Sequence, residues 1–257
     1  MMTTAPDSKL ATLWCPSPNY GTRLEGRLPD MLILHYTGME TAEGALDWLT
    51  REEAKVSAHY LIDEEGRITQ MVAETGRAWH AGLGSWAGDT DLNSCSIGIE
   101  IHNAGHEFGC PDFPDTQMQA VEALCLDILT RHPIPPQRVL AHSDVSPGRK
   151  RDPGEKFDWA RLARAGIGLW VEPAPLGGDQ GLGEGDENET VAALQRDLRD
   201  WLWGGGDIDL RQRRWSGRGS LPAALPSRPY RRPRRRLNPG NPVPAARRPS
   251  RANRRLA

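Results

Sequence analysis

The stretch Met31–Thr37 (MLILHYT) is a short unbroken apolar run, closed by Pro29-Asp30 before it and Gly38 after it. Its length and bounding residues suit a strand buried on both faces, which can exist only inside a sheet that is covered on both sides. The rest of the first 170 residues supplies that cover. Thr41 can cap a following helix in which Ala45, Trp48 and Leu49 share a face. Ser57–Ile62 and Arg67–Val72 flank Asp63-Glu64-Glu65-Gly66 and read as a β-hairpin. Ser96–His102 (SIGIEIH) alternates, with Ile97, Ile99 and Ile101 on one side and Gly98 and Glu100 on the other. From Asp115, the spacing of Met118, Val121, Leu124, Cys125 and Ile128 predicts a helix that His132-Pro133 stops. A short strand at Arg138–Ala141 and a short helix at Phe157–Ala165 complete the pattern. The fold class is α/β: a mixed central β-sheet flanked by helices. Arg77–Cys95, with three glycines and no period, reads as a long surface loop.

Beyond Trp170 the polymer changes character. Residues 171–190 are rich in glycine and acid, the composition of a flexible linker. Residues 191–203 return to helical spacing through Leu194, Leu198, Trp201 and Leu202, with Asn188 and Thr190 as candidate caps. Residues 204–257 have nothing to bury and read as a disordered basic tail. Residues 1–200 carry 17 basic and 32 acidic side chains, whereas residues 201–257 carry 15 arginines, no lysine and two aspartates. That charge would suit an anionic surface. Arginine, proline, glycine and alanine without lysine are, however, what a GC-rich gene yields out of frame. The expectation is therefore a frameshift near Trp201–Gly206 and no nucleic-acid partner.

Other classes fall away. No apolar run approaches the roughly 18 residues of a membrane span. The opening MMTTAPDSKLATLWCPSPNY lacks a basic segment followed by an apolar one. Cys15, Cys95, Cys110 and Cys125 show no CxxC spacing. Free thiols and a cytoplasmic location are the expectation.

Two ionisable residues sit where strands should be apolar: His35 in MLILHYT and Glu100 in SIGIEI. Each would cost several kcal/mol to bury without a partner. A third element, HSDVSPGRKRDPG at 142–154, follows a strand and offers His142 and Asp152 on one loop. Two imidazoles and a carboxylate make a catalytic zinc set with one open position, although seven histidines allow many triplets. A rival set, His102, His106 and Cys110, would align on a helix, but Gly105 and Gly109 interrupt it and the segment reads as loop.

LHYTG (34–38), SAHYLID (57–63), RAWHAG (77–82), NSCSIGIEI (93–101) and AHSDVSPGRKRDPG (141–154) occur in that order. Together, over about residues 15–170, they resemble the zinc-dependent N-acetylmuramoyl-L-alanine amidases of the type 2 amidase family. The resemblance implies His35, His142 and Asp152 as zinc ligands, Glu100 as the catalytic carboxylate and Lys150 as support for the transition state. It also implies a substrate-contacting loop at Trp79 and His80, and a structural role for His59. The implied reaction is cleavage of the bond between N-acetylmuramic acid and L-alanine of the peptide stem, in muropeptides or peptidoglycan. Residues 191–203 look like the remnant opening of a peptidoglycan-binding domain. The alternative is a non-catalytic peptidoglycan-recognition module, and oligomeric state is left open.

Overall fold

A computed structural model of the 257-residue chain describes residues 5–172 and 187–203, with side chains described through residue 197. The chain divides into two units, Met1–Trp170 and Val171–Ala257.

In the first unit, strands β1 (Leu13–Trp14), β3 (Met31–Tyr36), β4 (Tyr60–Ile62), β5 (Ile68–Gln70), β7 (Ser96–Ile101) and β8 (Val139–Ala141) form one sheet. Their order is β1-β5-β4-β7-β3-β8. The β4–β5 hairpin is antiparallel, and every other pairing is parallel, so the sheet is mixed. Strands β2 (Tyr20–Thr22) and β6 (Gly76–Ala78) pair separately as a small antiparallel ribbon. Neither β1 nor β2 carries a sequence pattern long enough to announce it.

Side chains of a strand alternate between faces, and the core divides accordingly. Leu32 and Leu34 of β3, Tyr60 and Ile62 of β4, and Ile97, Ile99 and Ile101 of β7 pack with α3 (Asp115–Arg131) through Met118, Val121, Leu124, Cys125 and Ile128. Phe157, and Leu162 from α5 (Trp159–Arg164), extend the same cluster. The opposite face carries two smaller clusters. One joins Met31 and Ile33 to Leu92 and Cys95 of α2 (Leu92–Cys95) and to Val145 of α4 (His142–Val145). The other joins Leu61 to Ala45 and Leu49 of α1 (Ala42–Thr50). Strand β3 is therefore covered on both faces, as its apolar run requires. Thr41 caps α1, accepting from the Gly44 amide at 3.0 Å. Trp48, expected on the buried face of α1, stands largely exposed at 44%.

The segment 77–95 departs from the expected surface loop. It opens with β6, closes with α2, and buries His80, Ala81, Asn93 and Ser94 between them. Polar side chains replace the missing hydrophobic period. Asn93 accepts from the His80 and Ala81 amides at 3.1 and 2.9 Å, and Arg77 donates to Ser94 and Asp91. Buried Arg23 donates to the Asn93, Ser94 and Ser96 carbonyls from below.

The second unit contains α6 (Glu189–Trp203), two residues longer at its start than the sequence period indicates. Asn188 caps it, accepting from the Val191 amide at 3.0 Å, whereas Thr190 lies inside the helix. The expected linker falls mostly, and the basic tail wholly, outside the described residues.

A buried ionic cluster fastens the end of α3 to the sheet. Glu74, 4% exposed, accepts from Tyr60 (2.7 Å), Arg131 (2.7 and 3.1 Å) and His132 (2.8 Å). Burial alone would raise its pKa, but the hydrogen bonds from His132, Arg131 and Tyr60 outweigh it and bring the carboxyl from 4.5 to about 2. A depressed carboxyl stabilises the fold above its unfolded pKa and loses that contribution as pH falls through the folded value. Glu74→Gln is thus expected to lower stability at pH 7 by an amount on the order of 3 kcal/mol. Urea unfolding should show the difference from the native chain shrinking steadily below pH 4.5 and vanishing near pH 2.

Candidate metal centre and active site

Polar residues gather where the parallel strands β3, β7 and β8 end, on the face opposite α3. Carboxyl ends of parallel strands are where open α/β sheets place ligands. His35 lies on β3 directly across from Glu100 on β7. Strand β8 ends at Ala141 opposite Leu34, which brings His142, the next residue, beside His35. The loop after α4 returns Asp152 to the same point, held by the Ser143 amide donating to the Asp152 carbonyl at 3.1 Å. His35, His142 and Asp152 are buried to 1%, 2% and 6% exposure.

Their facing atoms are close. His35 Nδ1 lies 2.9 Å from His142 Nδ1 and 3.1 Å from Asp152 Oδ2, and His142 Nδ1 lies 2.9 Å from that same oxygen. Donor counting assigns the protons. The Ser96 hydroxyl donates to the Leu92 carbonyl, so its oxygen accepts from His80 Nε2 at 3.2 Å. His80 Nδ1 is then a lone pair, and it accepts from His35 Nε2 at 3.0 Å. His142 Nε2 donates to the Ala81 carbonyl at 2.9 Å. In their neutral forms both imidazoles therefore present an unprotonated Nδ1 toward a carboxylate oxygen. Three lone pairs at this separation repel unless a cation sits among them, and the donor set, two imidazoles and a carboxylate, is one that a divalent transition metal accepts. Burial and the neighbouring His142 lower the His35 pKa to about 4, keeping it neutral as a ligand must be.

Glu100 points to the same place. Its Oε2 is buried without a hydrogen-bond partner. Burial, then the nearby Asp152 charge, push its pKa well above the ordinary carboxylate value, with Lys150 acting the other way. A carboxyl whose proton is held more tightly than usual, beside a candidate metal centre, is a candidate acid or base.

A cavity of about 340 Å³ opens over these groups. Trp48, Val56 and Trp79 contribute an apolar wall, and Arg149, Lys150 and Arg151 a cationic one. Arg149 also braces the rim, donating to the Ala81 and Leu83 carbonyls and to Ser146. Lys156 lies away from the cavity lining, in an ion pair with Asp112 at 2.9 Å.

All seven site residues expected from sequence line this one cavity. His80, however, is 8% exposed and has both ring nitrogens committed, to His35 and Ser96. Gly98 makes room for it: a Cβ there would fall 2.4 Å from the His80 ring. His59 accepts from the Gly98 amide at 3.0 Å and faces Arg23 and the Gly76 carbonyl, all within the protein. Ser96, Gly98 and Arg23 were not singled out by sequence, since nothing local in a serine, glycine or arginine reports what it touches.

Residues 25–155 match the family described as N-acetylmuramoyl-L-alanine amidase. The chain belongs to that family. Among its relatives, N-acetylmuramoyl-L-alanine amidase AmiD of Escherichia coli is 42% identical over 155 residues, covering 55% of each chain. The 1,6-anhydro-N-acetylmuramyl-L-alanine amidase AmpD of Citrobacter freundii is 32% identical over 164 residues, covering 57% of this chain and 86% of that one. The chain thus spans about half the length of AmiD and most of AmpD. A solved structure of the E. coli AmiD complex with the substrate anhydro-N-acetylmuramic acid-L-Ala-D-gamma-Glu-L-Lys superposes with a TM-score of 0.56 at 34% identity. It covers 72% of this chain and 76% of that one. Among the described residues, no helix is long and apolar enough to cross a membrane.

Because His80 orients His35 rather than facing outward with both nitrogens, His80→Ala is expected to weaken the trio's hold on a divalent ion by about 10–100-fold. Competition with a chelator measures this, and Trp79→Ala should leave the affinity unchanged.

Proposed function

We propose that this chain hydrolyses the amide bond between N-acetylmuramic acid and the L-alanine of the peptide stem, acting on muropeptides released from the cell wall. One observation carries the reading: a proton-free trio of ligand atoms and a raised, unpartnered carboxyl share one substrate-sized cavity. A recognition module needs the cavity alone.

Zinc held by His35, His142 and Asp152 would polarise the amide carbonyl as a Lewis acid and make water acidic enough to attack at neutral pH. Glu100 takes the proton from the attacking water and later delivers it to the departing amine of L-alanine. Lys150 faces the negative charge that gathers on the carbonyl oxygen. His80 and the Ala81 carbonyl hold the two imidazoles in one tautomer throughout, so no reorientation accompanies the reaction. Trp79 and Trp48 give the sugar and lactyl group an apolar wall, and Arg149 and Arg151 face the carboxylates of the stem peptide. The substrate named for the AmiD complex, an anhydro sugar bearing a carboxylate-rich peptide, has both of these features.

The helix after residue 188 supports a second, smaller reading: the start of a wall-binding module whose continuation was lost to a frameshift near Trp201–Gly206. Translating the other frames of the gene should recover a helical pattern with leucine and phenylalanine.

Mass spectrometry of products from anhydro-muropeptide, beside polymeric sacculi, tests the principal reading. Free stem peptide with a new L-alanine amino terminus is expected, and its absence with zinc-loaded protein would overturn the assignment. Glu100→Gln should lower turnover by about 10²–10⁴-fold with zinc content unchanged.

A further inference from the structure

The segment between β7 and α3 brings together three donor atoms that take no part in the reaction above. His106, Cys110 and Glu155 place an imidazole nitrogen, a sulfur and a carboxylate oxygen all within 4.8 Å of one another. The sequence-level rival set included His102, but the fold sends that ring elsewhere, to Glu64 at 2.9 Å and to Thr37. Glu155 takes its place from a loop 49 residues away from His106.

Several features aim the donors inward. His106 Nδ1 lies 2.9 Å from the Tyr36 hydroxyl, which can accept its proton and leave Nε2 as the ligand atom. That Nε2 lies 2.8 Å from Glu155 Oε2, as close as the groups of the His35 trio lie to one another. Cys110 is 5% exposed and holds a left-handed backbone, φ 46°, a conformation rare outside glycine. Its amide closes the turn onto the Gly105 carbonyl at 2.8 Å. Gly154 lets the opposing loop approach. A Cβ there would lie 3.2 Å from the His106 ring and 3.5 Å from Cys110 Sγ, and its φ of +87° is one that a side chain would resist.

We propose that His106, Cys110 and Glu155 form a second cation site, separate from the His35 trio, that takes zinc or a similar borderline divalent ion through a thiolate. Imidazole, thiolate and carboxylate together select such ions over magnesium or calcium, which prefer oxygen alone. Burial, then the Glu155 charge, raise the Cys110 thiol pKa, so the ion displaces a proton to solvent as it binds. The bound ion would pin the 105–110 turn to the loop that carries Lys150 and Asp152. Its role is structural, and it does not depend on the amidase reading.

Cobalt titration of the full-length, chelator-stripped protein tests this, because thiolate ligation gives a near-ultraviolet charge-transfer band that the cysteine-free trio cannot produce. The band is expected in the native chain, in His142→Ala and in Cys15→Ser, and is expected to disappear in Cys110→Ser. Zinc analysis should find two ions per native chain and one in either Cys110→Ser or His142→Ala, with circular dichroism confirming that each variant folds. A native chain without the band, or a band that survives Cys110→Ser, overturns the second site. In that case a single zinc lost with His142→Ala would leave the amidase reading intact. A band with no zinc on the trio would do the reverse.

Discussion

Like partial charges forced together in a dry place are the organising tension of this molecule. Two imidazole lone pairs and a carboxylate oxygen converge within about 3 Å. The surrounding protein takes up the far nitrogens of both rings, so that the neutral imidazoles turn their lone pairs inward. The Leu92 carbonyl fixes the Ser96 hydroxyl, which fixes His80, which fixes His35. The Ala81 carbonyl does the same for His142. Such a centre is unfavourable in isolation and becomes favourable only with a positive ion. Much of the less regular structure follows from this demand. The segment 77–95, poor in hydrophobic period, is held by Asn93, Arg77 and Arg23 so that Ala81 and His80 stand where the ligands need them.

The sheet and its main helix were legible because burial writes a period into sequence. MLILHYT and SIGIEIH read as strands, and the stripe from Met118 to Ile128 reads as the helix that covers them. The same logic exposed His35 and Glu100, each a polar residue in an apolar run. His142 and Asp152 carry no such signal. They sit in a polar loop, and only resemblance to a family distinguished them from other histidines and aspartates. Segment 77–95 was misread as surface because polar anchoring leaves no hydrophobic pattern. The second donor set was half visible: His106 and Cys110 stood out by spacing, while Glu155 joined them only through the three-dimensional return of the chain.

The two donor sets share scaffolding. Tyr36 and His35 are consecutive on β3, so alternation sends the imidazole toward the trio and the phenol toward His106. Asp152 and Glu155 lie three residues apart on one loop and serve opposite sides of the strand end. Only a few peptide units along the chain therefore separate the two sets.

The distance along the chain between partners has a temporal corollary. His35 and Asp152 meet although they lie 117 positions apart, and β8, the edge strand that delivers His142, pairs, among the described residues, only with β3 near the beginning. During synthesis, the early strands and α3 emerge from the ribosome while the centre still lacks two of its three ligands. A chain terminated before residue 139 would therefore lack two of the three donor atoms as well as the edge strand that places them.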